Sequence, residues 1–190
     1  SILNVTQDEI GDPLHILSGT DVSDLGTASL GETLDSLLGV TTSDYGSAVG
    51  QPIIRGLSGS RVKILTNGLV NRDVAGIGAD HKNEVDLSDI QQIEVVRGPS
   101  SLLYANGASG GIVNIVDNTI ATSDIEKRLF KLGFETQSVN SGDGQSFSVA
   151  DNLGGLNLYF SYSDSSFGNY DIPSGAVLHE EEEHHDEDED

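Results

Sequence analysis

Two places in the chain set metal-ligand side chains next to one another. Residues 179–190 read HEEEEHHDEDED, nine acids and three histidines in twelve positions. His179, His184 and His185 offer imidazole nitrogen, and Glu183 and Asp186 flank the adjacent histidines with carboxylate oxygen. That donor set suits Zn(II), and also Cu(II) or Ni(II). Many ligands at loose spacing favour capture and local concentration over one rigid site. The same run also reads as a solvated acidic loop with incidental histidines, as most acidic runs are, or as an engineered tail. Asp80-His81 is the second place, in a polar stretch between an Asn67-Gly68 turn and a strand that begins at Ile93. Neighbouring side chains of an extended segment point apart, so one metal shared by this pair requires a turn there. The alternative is a surface loop with a lone histidine. His15, beside a short apolar run, reads as structural or exposed.

Charge narrows the partners. The 190 residues hold 31 Asp and Glu against 9 Lys and Arg, a formal net charge of −22. Without the last twelve residues the chain still carries 22 acids against 9 bases, or −13. Nucleic-acid binding needs clustered Lys and Arg, so it is excluded. Anionic lipid surfaces would repel the chain as well. Cations are the partner class the charge favours. There is no cysteine, which removes disulfides, thiolate zinc sites and cysteine nucleophiles. No apolar run is long enough for a transmembrane helix, and no signal peptide opens the sequence. The chain reads as a mature form or an excised piece, and any membrane role falls to β-strands.

These residues have to be carried by the elements between them. Ser29 with Glu32 forms a capping box, opening a helix whose apolar stripe is Leu34, Leu37 and Leu38, with Gly39 at the C-cap. Strands are expected at 40–43, 52–55 and 61–65, and Asn67-Gly68 signals a type I′ hairpin. Ser88 with Gln91 offers a second capping box and a short helical turn. Residues 93–97 read as a buried strand, Pro99 starts a short helix through Ala105, and 112–116 is again a strand. Helices and strands interleave to about residue 120, as in a small mixed α/β unit. After Asp124 the pattern changes to period two. Phe130, Leu132 and Phe134 alternate with Lys131, Gly133 and Glu135, 147–151 alternates more weakly, and Leu156, Leu158, Phe160 and Tyr162 alternate with Asn157, Tyr159 and Ser161. Three such strands fit part of a transmembrane β-barrel or a soluble antiparallel sheet equally well. Three strands cannot close a barrel, so the chain looks truncated.

Residues 51–116 carry a recognisable pattern. Ile54-Arg55-Gly56, Arg61-Val62, the run from Ile93 through Glu94 and Arg97 to Gly98-Pro99, Leu103-Tyr104, and Gly110-Gly111-Ile112-Val113-Asn114-Ile115 resemble the plug domain of TonB-dependent outer-membrane receptors. The match covers roughly 30–120, and Ala105 stands where the family usually has glycine. The resemblance is closest to the zinc-uptake branch.

That resemblance implies an α+β plug domain, a small mixed sheet with short helices, followed by the first antiparallel strands of a 22-stranded transmembrane β-barrel. Residues 1–28 become the N-terminal coupling segment and lead-in, 29–122 the plug, and 123–190 the start of the barrel, with 174–190 an extracellular loop rich in His and acid. Ile2, Leu3, Asn4, Val5 and Thr6 are similar to the segment that engages the inner-membrane energy-transducing TonB complex, although an ordinary frayed terminus would look the same. If the first strand starts on the periplasmic side, the third runs outward and places 174–190 in the medium. Asp80 and His81 would then be two apical metal ligands, the others coming from barrel residues beyond this chain. Arg55, Arg97 and Glu94 would seat the plug against wall residues.

No catalysis is expected. The glycine-rich 107–111 stretch lacks a P-loop lysine and a dinucleotide-binding register, and no serine nucleophile elbow occurs. The expected protein is a receptor and transporter in the outer membrane of a Gram-negative bacterium. It would import Zn(II) as substrate, or Cu(II) or Ni(II), while the plug gates the barrel. A siderophore or other metal-chelate receptor of the same family is the alternative. A secreted acidic β-domain binding cations or a protein is the alternative from a different class.

Overall fold

The computed structural model describes residues 14–25, 29–46, 48–72, 74–76, 78, 80–83, 85–121 and 123–170. The His/acid run at 179–190 and the segment from Ile2 to Thr6 lie outside them. The first part of the described chain is a mixed unit. β1 (Leu14–Ser18) leads directly into α1 (Gly19–Leu25), and a second helix, α2 (Leu30–Leu34), precedes β2 (Val40–Asp44) and β3 (Gly50–Ile54). β4 (Val62–Thr66) and β5 (Leu69–Val70) form a hairpin, followed by β6 (Ile90–Arg97), a 3-10 turn at Pro99–Leu103, and β7 (Gly111–Asp117). The main sheet has the order β1-β6-β7-β4-β5, and β2 pairs with β3 in a separate ribbon. Among the described residues, only the β4–β7 pairing is parallel. β1 lies in the lead-in part of the sequence, yet it is the edge strand beside β6.

β6 and β7 are the buried centre, which is why apolar neighbours stand side by side in them, at 95–96, 112–113 and 115–116, instead of strictly alternating. Ile93, Val95, Val113 and Ile115 pack with Leu34, Ile54 and Val62 in one core, and Val96, Ile112, Leu65 and Ala108 form a second on the opposite side. Two buried polar groups cross this centre. Asn114 donates to Glu94 at 2.8 Å, and its own carbonyl accepts the N–H of Gly68 at 3.0 Å. The Asn67-Gly68 turn is formed with both residues at positive φ, 50° and 85°, as a type I′ hairpin demands.

Two local expectations need correcting. The capping box at Ser29 is present, with Glu32 N–H donating to Ser29 Oγ at 3.2 Å and Ser29 N–H to Glu32 Oε2 at 3.1 Å. The helix nevertheless ends at Leu34. Gly39 turns the chain at φ 77° into β2, and Leu38 is left 84% exposed. The expected second capping box does not form. Ser88 gives both its N–H and its hydroxyl to Asp86 Oδ1, at 2.8 and 2.6 Å. That local turn satisfies the serine, and Ile90 enters β6 at once, where burial and pairing with Asp117 hold it extended.

The last three strands, β8 (Leu129–Gln137), β9 (Gly142–Leu153) and β10 (Leu156–Ser166), make an antiparallel meander. Registers such as Leu132↔Phe147↔Tyr162 and Lys131↔Ser148↔Ser161 put apolar residues on one face and polar residues on the other. A soluble sheet would turn its apolar face toward the rest of the protein. Here the polar face meets the mixed unit, through Lys131, Tyr159 and Ser163. Phe130, Leu132, Phe134, Leu158, Phe160 and Tyr162 point away, each between 44% and 80% exposed. An exposed band of aliphatic and aromatic side chains on alternate strand positions is what a lipid-facing barrel wall requires.

Candidate functional site

The loop between β5 and β6 carries the Asp80-His81 pair. His81 N–H reaches back to the Gly78 carbonyl at 3.4 Å, closing the turn that two adjacent ligands need. The turn brings His81 Nδ1 to 3.5 Å from Asp80 Oδ1, with the side chains 43% and 65% exposed. One tetrahedral zinc with ligand bonds near 2.0 Å holds two such atoms about 3.3 Å apart. The pair therefore has the spacing of two ligands on one ion, on a partly exposed turn. A Cβ at Gly78 would stand 2.5 Å from Asp80 Oδ1, so glycine leaves room for that carboxylate. Among the described residues, no third His, Cys, Asp or Glu completes a cluster with them.

Below the pair, the loop runs along the inner face of the wall strands, and its contacts climb in order. Asp89 accepts from Lys131 Nζ at 2.5 Å, from Tyr159 Oη, and from Asn118 Nδ2 at 2.8 Å. Asp86 accepts from Ser163 Oγ at 2.8 Å. Lys82 Nζ lies 5.3 Å from the centroid of the Phe167 ring. Going backward from Asp89 to Lys82, the partners on the β10 segment move from 159 to 163 to 167. Each step of four strand residues is roughly 13 Å. Asp80 and His81 directly precede Lys82 in the chain. A cleft of about 490 Å³ remains between loop and wall, lined by Lys82, Asp86, Ser88, Glu135, Ser146 and Ser163 among others.

Burial acts to raise the pKa of Asp89, but hydrogen bonds from Lys131, Tyr159 and Asn118 and the lysine's charge outweigh it and leave it below its ordinary value. The carboxylate is thus kept charged at the seam.

The remaining sequence-expected residues sit elsewhere. Arg97 is buried and donates to the Leu38 carbonyl and to His15 Nε2. Burial, then the neighbouring arginine charge, lower the pKa of His15, so its neutral ring accepts. His15 is a structural partner, one of the two roles expected of it. Glu94 is buried and accepts from Asn114 and from Gln92, the latter at 2.6 Å. Arg55 is exposed, in a left-handed turn at φ 52°. In this structure Arg97 and Glu94 bond inside the mixed unit, whereas Asp89, Asp86 and Lys82 reach the wall. Sequence reasoning missed that second set. Asp89 and its partners are 42 and 70 positions apart, and the sequence offered only the alternation of Lys131 and Tyr159 with the apolar residues of their strands.

A family model described as the TonB-dependent receptor plug domain matches residues 6–112. Among solved structures, the copper transporter OprC superposes with a TM-score of 0.67 at 20% identity, covering 82% of this chain and 24% of that one. The siderophore receptor PirA from Acinetobacter baumannii gives 0.62 at 21% identity, covering 85% and 26%. The ferric enterobactin receptor PfeA from Pseudomonas aeruginosa gives 0.60 at 20% identity, covering 80% and 25%. At these identities the likeness is one of fold, and the chain spans about a quarter of the length of each of those proteins.

Proposed function

The chain belongs to the TonB-dependent receptor plug family, proteins of the outer membrane of Gram-negative bacteria, and from that premise we propose that the whole protein imports a divalent metal ion, Zn(II) in the first place. The observation that carries this reading is the 3.5 Å separation of His81 Nδ1 and Asp80 Oδ1 on a partly exposed turn above the plug–wall seam. Neutral imidazole and carboxylate together are adequate zinc ligands. They are equally open to Cu(II), since geometry and availability rather than raw affinity decide among these metals. Further ligands come from wall residues outside this chain.

In this reading the plug, residues 29–122 with its lead-in, closes the barrel that residues 123–190 begin. The His/acid run with His179, Glu183, His184, His185 and Asp186 concentrates cations at the mouth, over about one Debye length of ~8 Å at physiological salt. Ile2 to Thr6 engages the inner-membrane TonB complex, whose pull rearranges the plug once metal is bound. Of the three residues expected to seat the plug, the exposed Arg55 adds a contact to wall strands beyond these three, while the buried Arg97 and Glu94 brace the plug from within. Family membership displaces a secreted acidic β-domain and argues for a receptor rather than an enzyme.

The test is titration of the full-length receptor with Zn(II), and zinc uptake by cells carrying it. We expect micromolar or tighter binding, weakened by more than about tenfold in Asp80→Ala/His81→Ala. Unchanged affinity and uptake in that variant would remove the ligand assignment. PirA, a siderophore receptor, and PfeA, a ferric enterobactin receptor, supply the second reading, a ferric chelate as cargo. Growth rescue by chelated iron and not by zinc would select it.

A further inference from the structure

The turn that pairs Asp80 with His81 is held from beneath by one side chain. Gln51, on β3, is only 4% exposed. Its Nε2 donates to three backbone carbonyls of the apical loop: Ala75 at 2.8 Å, Gly78 at 2.8 Å and His81 at 3.1 Å. An amide nitrogen has two hydrogens, so one is shared. Three converging carbonyl oxygens also settle which end of the amide faces them, because the oxygen end would be repelled. Gln51 is itself anchored, its backbone N–H donating to Ser43 Oγ on the paired strand β2 at 3.2 Å. His81 is thereby held at both main-chain groups, its N–H by Gly78 and its carbonyl by Gln51.

We propose that Gln51 is the positioning residue of the apical metal pair: its buried amide gathers the loop carbonyls and so holds Asp80 Oδ1 and His81 Nδ1 at chelating distance. The role rests on the metal reading given above. A neutral donor is the suitable choice for it. A lysine could bridge the same carbonyls, but its charge would sit under an incoming cation and repel it. Gln51 organises the loop without cancelling the field of Asp80.

The full-length receptor, titrated with Zn(II) alone, tests this. Gln51→Glu keeps the shape and turns an acceptor toward the three carbonyls. Gln51→Leu removes the donor without adding charge, and serves where the buried carboxylate prevents folding. Either change is expected to weaken Zn(II) binding about tenfold, the low end of what losing a group that orients a metal ligand costs. In the Asp80→Ala/His81→Ala background the same change is expected to cost nothing further. With Cu(II) as a spectroscopic probe, the part of the imidazole-nitrogen hyperfine coupling that His81→Ala removes is expected to weaken in Gln51→Leu.

Wild-type affinity in both Gln51 variants, alongside a weakened Asp80→Ala/His81→Ala receptor, overturns the positioning role and leaves the metal reading standing. Equal losses on both backgrounds also overturn it, since the effect would not pass through the pair. An Asp80→Ala/His81→Ala receptor of unchanged affinity overturns the metal reading and the positioning role together.

Discussion

Lys131 and Asp89 lie 42 positions apart in sequence and 2.5 Å apart in space, joining the inner face of β8 to the plug. Tyr159 of β10 donates to the other oxygen of the same carboxylate. The Asp89 side chain is 11% exposed against 55% for Lys131, so the acid is the buried half of the pair. One plug carboxylate therefore binds two wall strands at once.

Removing it should loosen the seat. Asp89→Asn keeps the volume and loses the charge, and we expect it to cost about 1–3 kcal/mol of plug–wall stability, the range for an unmade buried polar contact. Limited proteolysis of the full-length receptor across a urea series reads this as earlier cleavage of the plug. Identical cleavage midpoints for wild type and Asp89→Asn would count against the contact.

The same seat should be acid-labile. Asp89 is held below its ordinary 3.8 in the seated state, so the unseated state takes up a proton first. The stabilisation is complete above about pH 3.8 and disappears as pH falls through the lower seated value. A pH series from about 5 to 2 should show plug release, with a shallower dependence in Asp89→Asn. Parallel curves would contradict the assignment.

His15 gives a second pH response, in a higher window. Burial and the charge of Arg97 place its pKa below 6.5 in the fold, so the unfolded chain again binds the proton first. Its contribution is fully present above pH 6.5 and is lost as pH falls through the folded value. The imidazole C2–H resonance should titrate below that of a free histidine. The pH dependence of plug stability should flatten in His15→Asn, and a normal titration of His15 would refute the contact with Arg97.

The outward face of the wall should reject charge. Phe160→Arg, on the apolar face of β10, should cost about 2–4 kcal/mol at mid-membrane depth. Ser146→Lys, which lines the cleft between loop and wall, should be tolerated far better. Folding titrations of the full-length receptor into lipid vesicles compare them. Equal costs would mean that the two faces are wrongly assigned.

Local chemistry was legible in the chain wherever neighbours along it decide the outcome. The Ser29–Glu32 capping box, the positive-φ hairpin at Asn67-Gly68 and the period-two strands from 129 onward follow from side chains within four residues of one another. The helix through Leu38 and the turn at Ser88 were misread because the deciding partners are distant or compete locally. Ile54 pairs with Val40 and ends the helix early, Arg97 takes the Leu38 carbonyl, and Asp86 satisfies Ser88 before any helix can form.

Alternation along 129–137 and 156–162 established two-faced strands, but not which face is inside. Only the packed structure turned Lys131, Tyr159 and Ser163 toward the plug and left the phenylalanines outside. The adjacency of Asp80 and His81 is likewise a property of the sequence. Their 3.5 Å approach is not, because it depends on a turn held by Gln51 from a strand 30 residues earlier. Composition, caps and periodicity act over a few bonds and are written in the chain. Ligand geometry and plug seating are made by long-range hydrogen bonds, which exist only once the loop is closed.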